Sequence, residues 1–373
     1  MKHGWEVKKL VDVCIVERGS SPRPIDQYTT NAEDGVNWIK IGDTKGVDKY
    51  LFSTKEKITK EGALKSRYVK EGDFILSNSM SFGRPYIMKT DGYIHDGWFV
   101  LRLYDFIDTE FFYHLLSSPL VNEQFHKLAS GSVVKNISGD LVKKVVLPIP
   151  PLPEQQRIVA ILDEAFDAIA QAKANAEQNL KNAQELFESY LQSIFETKGE
   201  DWEEKRFDEV CILQRGFDLP TLSRNKGDFP LVSSNGITDR IDLWKVKAPG
   251  VVTGRSGTIG NVHFIEEDYW PLNTALYIKE FHGNYERFIY YFLKNFNLNK
   301  YSSGAGVPTL NRNNVHSEMV YFPRSVEDQQ SIVAKLDALS EQTKKLESIY
   351  KQKLADLEEL KKSILHKAFN GEL

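Results

Sequence analysis

The chain is poor in the residues that mark covalent scaffolds and membranes. It has two cysteines in 373 residues, so no disulfide framework is expected, and both read as small core side chains. No run of 18 apolar residues occurs, so no membrane-crossing helix is expected. The opening Met1-Lys2-His3-Gly4-Trp5-Glu6 has no apolar stretch of signal-peptide length, and the expected location is the cytoplasm. Catalytic motifs are scarce too. The eight histidines form no HExxH or other metal-ligand spacing. No phosphate-binding GxxxxGK(S/T) loop is present, and the glycine-rich Gly254–Gly260 lacks its lysine. Pro150-Pro151 lies between Ile149 and Leu152, without the polar and aromatic neighbours of an amino-methyltransferase motif. The chain is therefore expected to be no enzyme, to bind no metal and to carry no cofactor. An overall basic excess is also missing, since net charge is −4. The acidity is local: residues 151–200 hold 4 basic and 9 acidic side chains. Basic surfaces elsewhere remain compatible with a nucleic-acid partner.

What is there is a repeat. Trp5-Glu6-Val7-Lys8-Lys9 returns as Trp202-Glu203-Glu204-Lys205-Arg206, and Arg18-Gly19 returns as Arg215-Gly216, all shifted by 197 residues. The same shift maps Cys14 onto Cys211. Further on, the pattern Glu/Asp-Gln-Gln-x-Ile-Val-Ala-x-Leu-Asp occurs at 154–163 and again at 328–337. Hydrophobic content of 41% and aromatic content of 12% suffice for real cores.

Each half has a globular part and a rod. The globular parts carry strand-like runs at Phe74-Ile75-Leu76, Trp98-Phe99-Val100-Leu101 and Val145-Val146-Leu147, then at Gly250-Val251-Val252 and Ala275-Leu276-Tyr277-Ile278. One helix is expected in each, near 108–129 and 284–300, with Tyr290, Tyr291, Phe292 and Phe296 in the core. The rods follow proline lead-ins and hold 3,4-spaced seams. The first seam runs Ile158, Leu162, Ala165, Ile169, Ala172, Ala176, Asn179, Ala183, Leu186, Tyr190. The second runs Ile332, Leu336, Leu339, Thr343, Leu346, Tyr350, Lys353, Leu357, Leu360, Ile364. About 40 residues at ~1.5 Å rise make a rod of roughly 60 Å. An order of domain, helix, domain, helix lets one chain pair its helices antiparallel, with the globular parts at opposite ends. The expected fold is α+β. Two mixed α/β domains at 1–152 and 198–325 are separated by long helices at 153–197 and 326–373, in a pseudo-twofold repeat.

The twice-occurring Trp-Glu opening and Gln-Gln-x-Ile-Val-Ala helix start, with the chain end Lys362–Leu373, resemble the DNA sequence-specificity subunits of type I restriction–modification systems. That resemblance covers the whole chain. It implies that each globular region is a target recognition domain reading one half of a bipartite double-stranded DNA site. It implies that the helices fix the gap and dock two modification subunits, which methylate adenine with S-adenosylmethionine. A restriction subunit is a further expected partner.

Three loop pairs are the candidate DNA contacts. The first supplies Ser77, Asn78, Ser79 and Arg84, then Arg255, Ser256 and Thr258. The second supplies Lys135 and Asn136, then Arg312. The third supplies Lys40, then Ser233 and Asn235. Small hydroxyls, amides and cations suit phosphate and base-edge contacts. The same residue types also suit tight turns and strand ends. Expected helix-seam contacts are Ile158, Leu162, Ile169, Leu186, Ile332, Leu336, Leu346 and Leu357. A competing reading is a coiled-coil assembly scaffold whose globular domains bind proteins.

Overall fold

A computed structural model describes residues 3–78, 83–129, 138–304 and 306–373. The chain divides into two compact units, Met1–Ala176 with Lys353–Leu373, and Glu177–Gln352.

In the first unit, the apolar run Phe74-Ile75-Leu76 is buried throughout. A strand with no polar face belongs inside a sheet covered on both sides. Phe74–Ser77 accordingly lies at the centre of five strands. Their order is Cys14–Arg18, Trp98–Leu103, Phe74–Ser77, Pro85–Met88 and Tyr50–Leu51. The second unit repeats it in four strands: Ile212–Arg215, Ala275–Glu280, Gly250–Gly254 and Val262–Ile265. The registers agree as well. Arg18 faces Phe99 and Arg215 faces Leu276. Ser77 faces Trp98 and Gly254 faces Ala275. Trp38 pairs in parallel with Tyr93, and Leu231 with Trp270. A two-stranded ribbon closes each unit, pairing Lys8 with Leu147 and Lys205 with Val320. Cys14 and Cys211 are both buried and free. Burial pushes the Cys14 thiol up to about 12 and the Cys211 thiol higher still.

The single helix expected near 108–129 is two, Thr109–Leu116 and Pro119–Ala129. Pro119 explains the break: it lacks an N–H and biases the residue before it away from helical geometry. The second unit has no such proline and forms one helix, Glu286–Asn295. Tyr291 and Phe292 are buried in its core, while Tyr290 and Phe296 pack partly buried against it.

Two long helices, Leu152–Thr197 and Val326–Asn370, each contribute to both units. In the first unit they run antiparallel. Arg157 donates to the Leu373 carbonyl at 2.9 Å, while fifteen or so residues on, Lys173 reaches Glu358 at 2.7 Å. Ile158 and Leu162 share one core with Leu365, Ala368 and Phe369. In the second unit Phe187 and Leu191 share a core with Val333 and Leu336.

The seams depart from their sequence reading at Asn179, Leu186, Tyr190, Leu346, Lys353 and Leu360, all of which are exposed. Leu186 is 49% exposed and Leu346 is 38% exposed. In the first helix Ala176 and Ala183 are buried on the expected seam, but beyond them the buried residues are Phe187 and Leu191, one place later than Leu186 and Tyr190. Leu186 lies 28 residues past Ile158. A straight helix drifts ~20° per heptad, so four heptads move the apolar face by nearly one residue. In the second helix Thr343 is buried and half-buried Glu347 follows it, with Leu346 turned outward. Ile158, Leu162, Ile169 and Leu336 are buried, and Ile332 and Leu357 are half-buried.

The repeated Gln-Gln motif is the latch between rod and domain. The Gln155 side chain is fully buried. Its Oε1 accepts from the Asp108 N–H at 2.8 Å, and its Nε2 donates to the Phe106 and Pro150 carbonyls at 3.1 and 2.9 Å. Gln329 is likewise buried, accepting from the Tyr285 N–H at 2.8 Å and donating to Asn284 Oδ1 at 2.9 Å. Asp108 and Tyr285 are the residues that start each domain's helix. The motif's final aspartate ties down the same helix two turns along. Asp163 lies 3.3 Å from His114 Nε2, and Asp337 accepts from Tyr291 Oη at 2.5 Å and Arg287 Nε at 2.8 Å.

Candidate nucleic-acid interface

In the second unit, backbone pairing gathers the three candidate loops at one edge. Ser233 pairs with Gly236 across a two-residue turn, and Gly236 takes φ +92, a region open to glycine. Ser233 Oγ accepts from the Asn235 N–H at 3.1 Å, which leaves the Asn235 side chain exposed. Gly254 admits no side chain, because a Cβ there would lie 1.6 Å from the Thr258 carbonyl and 3.2 Å from Ser234 Cβ. The turn Gly254–Gly260 thus abuts the Ser233–Gly236 turn. The third loop docks on it: Ser256 bridges to Thr309, the Leu310 N–H donates to the Arg255 carbonyl at 2.8 Å, and the Gly257 N–H to Pro308 at 3.3 Å.

Between these loops lies a cavity of about 440 Å³ lined by Arg215, Arg255, Arg312, Ser303, Thr309, Asn311 and Asn313, with Leu276 and Leu310. Arg255 donates to the Asn273 carbonyl at 3.3 Å. Arg312 donates to the Leu213 carbonyl at 3.2 Å and Gln214 Oε1 at 2.9 Å. Arg215 forks onto Asp218 at 2.9 and 3.1 Å. Arg215, Asn311 and Asn313 were not among the sequence candidates. The return of Arg18-Gly19 as Arg215-Gly216 was the one signal that pointed at this position.

The first unit arranges its candidates differently. Ser77 and Asn78 are buried, and the Asn78 amide donates to the Asp96 carbonyl at 2.7 Å. Burial removes both from reach of a base edge; they shape the loop. Ser79, Lys135 and Asn136 lie outside the described residues. Lys40 pairs with Glu56 at 2.8 Å and lines a cavity of about 530 Å³ with Ser21, Arg23, Trp38 and His95. Asp96 braces its wall, accepting from Ser21 Oγ at 2.7 Å and Arg23 at 3.2 Å; the Ser21 bond holds its carboxyl below the usual range. Arg84 lies elsewhere, in a cavity of about 600 Å³ with Tyr113, His126 and Lys361. The structure does not bring Lys40 and Arg84 together.

Four histidines share one electrostatic character. His95, His114, His263 and His316 are all held below the ordinary histidine value, with burial as the first cause of each. Among the described residues, no group of three or more His, Cys, Asp or Glu side chains is placed to hold a metal ion, and no helix is long and apolar enough to cross a membrane.

The family model of the type I restriction modification DNA specificity domain matches residues 2–182 and 199–358. The type I restriction enzyme MjaIX specificity subunit of Methanocaldococcus jannaschii is 26% identical over 234 residues, 58% of this chain and 54% of that protein. The EcoBI specificity subunit of Escherichia coli is 25% identical over 319 residues, 72% of this chain and 66% of that one. The chain thus spans about half the length of the first relative and just under two thirds of the second. Among solved structures, the HsdS subunit from Thermoanaerobacter tengcongensis superposes with a TM-score of 0.66 at 21% identity, covering 100% of this chain and 98% of that one. A chain from a structure titled for complex assembly and conformational transition of the type I R-M system gives a TM-score of 0.84 at 20% identity, covering 100% and 99%. At these identities the structural likeness concerns the fold.

Proposed function

The chain belongs to the type I restriction modification DNA specificity family, and from that premise we propose that it is the non-catalytic subunit that reads an asymmetric, bipartite sequence in double-stranded DNA. Each globular part reads one half-site. The paired long helices set the distance between halves and dock two adenine-methylating modification subunits, with restriction subunits joining the complex. S-adenosylmethionine is bound by the modification partner.

The observation that carries the reading is the shared order and register of four strands of each unit's central sheet beside the difference in their loops. At the backbone position where the second unit has Arg255, the first has Asn78, and where one has Ser233 the other has Lys40. One frame carrying two chemistries suits two different half-sites. Base edges are read by side-chain donors and acceptors, whereas the frame only orients them.

The test is binding by the full chain co-purified with its modification partner, across a salt series. Site-specific DNA binding is expected to weaken steeply with salt through counterion release. Mapping methylated adenines with and without the gene identifies the sequence. If methylation is unchanged when the gene is removed, the reading fails.

A further inference from the structure

The three-arginine recess of the second unit differs in kind from the exposed side chains beside it. We infer that this recess grips a single phosphate of the DNA backbone, so that its arginines set affinity and register while carrying no sequence information. The inference rests on the DNA-reading function proposed above.

Three observations lead there. First, Arg255 and Arg312 are half-buried and tethered, each donating to a main-chain carbonyl of the neighbouring strand or loop. A guanidinium has five N–H donors, so each keeps free donors after those bonds. A recessed fork held this way cannot extend into a groove ~8.5 Å deep to reach a base edge. A phosphate protrudes from the duplex and enters a recess. Second, the donors converge. Arg215, Arg255 and Arg312 enter the cavity from three separate segments, and among the described residues no carboxylate lines it, Asp218 holding Arg215 from outside. Three cations from separate segments suit the several oxygens of one phosphate, while a guanine edge takes two donors from a single fork. Third, the side chains shaped for base reading stand on the same edge but outside the recess: Asn235 and Thr258 are exposed. The first unit has Asn78 and Gly139 where the repeat shifts of 177 and 173 residues place Arg255 and Arg312. Among the described residues the first unit thus has no counterpart of Arg255 or Arg312.

The test uses the full chain in complex with its modification partner, with Arg215→Gln, Arg255→Gln and Arg312→Gln, on the methylated sequence and on every single base-pair variant of it. Arg215 is exposed, so its variant remains informative if a half-buried arginine proves necessary for folding. Each substitution is expected to weaken binding roughly tenfold on all duplexes alike. The slope of log affinity against log salt should shrink by no more than ~0.9, the value for losing one phosphate contact entirely. A neutral methylphosphonate scanned through the second half-site should weaken wild-type binding at one position and weaken the Arg312→Gln complex less there. A variant that relaxes discrimination at one base pair would overturn the inference in favour of base reading. So would variants that bind like wild type. If the wild-type complex does not distinguish its sequence from a scrambled duplex, the DNA-reading function itself falls and takes the recess with it.

Discussion

Gln155 and Gln329 show how a repeated residue acquires a reason. Each is buried at the start of a long helix and satisfies main-chain groups at the start of the domain helix beside it. Removing such a side chain leaves buried donors and acceptors without partners. Gln155→Ala is expected to destabilise by about 1–3 kcal/mol. Gln156, exposed one residue on, should tolerate alanine within roughly 0.5 kcal/mol. Urea unfolding of the two variants compares them directly, and equal midpoints would refute the latch. Histidines supply a second residue-scale prediction. A group whose value is lower folded than unfolded takes up a proton on unfolding, so its contribution is present above the unfolded value near ~6.5 and lost as pH falls below it. With His95, His114, His263 and His316 all shifted this way, stability should decline between about pH 7 and pH 5. His114→Gln should flatten part of that decline, read from unfolding midpoints across the range. The loops mark the limit of legibility at this scale. Arg255 and Arg312 were recognisable as candidates because cations stood among small polar residues. The burial of Asn78 was not, since its amide bond is made to a carbonyl 18 residues away.

Among the elements, the long helices and central strands follow from pattern alone. An unbroken apolar run such as Phe74-Ile75-Leu76 has nowhere to sit but a covered sheet. The helix break at Pro119 and the drift of the seam are the two departures, and both have local causes. Which residue faces inward after four heptads depends on whether the helix supercoils or stays straight, a property of its packing rather than of spacing. This gives a sharp contrast. Ala183→Leu crowds a buried position and is expected to cost about 1–3 kcal/mol. Leu186→Ala, on an exposed one, should cost no more than roughly 0.5 kcal/mol. Thermal melts that ranked the two in the opposite order would restore the strict heptad seam.

For the whole molecule, the duplication was the most legible property of the sequence. The shift of 197 residues reappears as matched strand registers, down to the residue that faces Arg18 or Arg215, and the repeated Gln-Gln motif reappears as the paired latches at Gln155 and Gln329. What each copy recognises was less legible, because recognition rests on loops whose side chains are placed by contacts far away in sequence. If one copy reads one half-site, the copies can be exchanged one at a time. The most direct measurement is methylated-adenine mapping with a chain whose residues 198–325 are replaced by those of another family member. The account predicts that one half of the methylated sequence changes while the other half and the gap between them stay as they were. A change in both halves would contradict it.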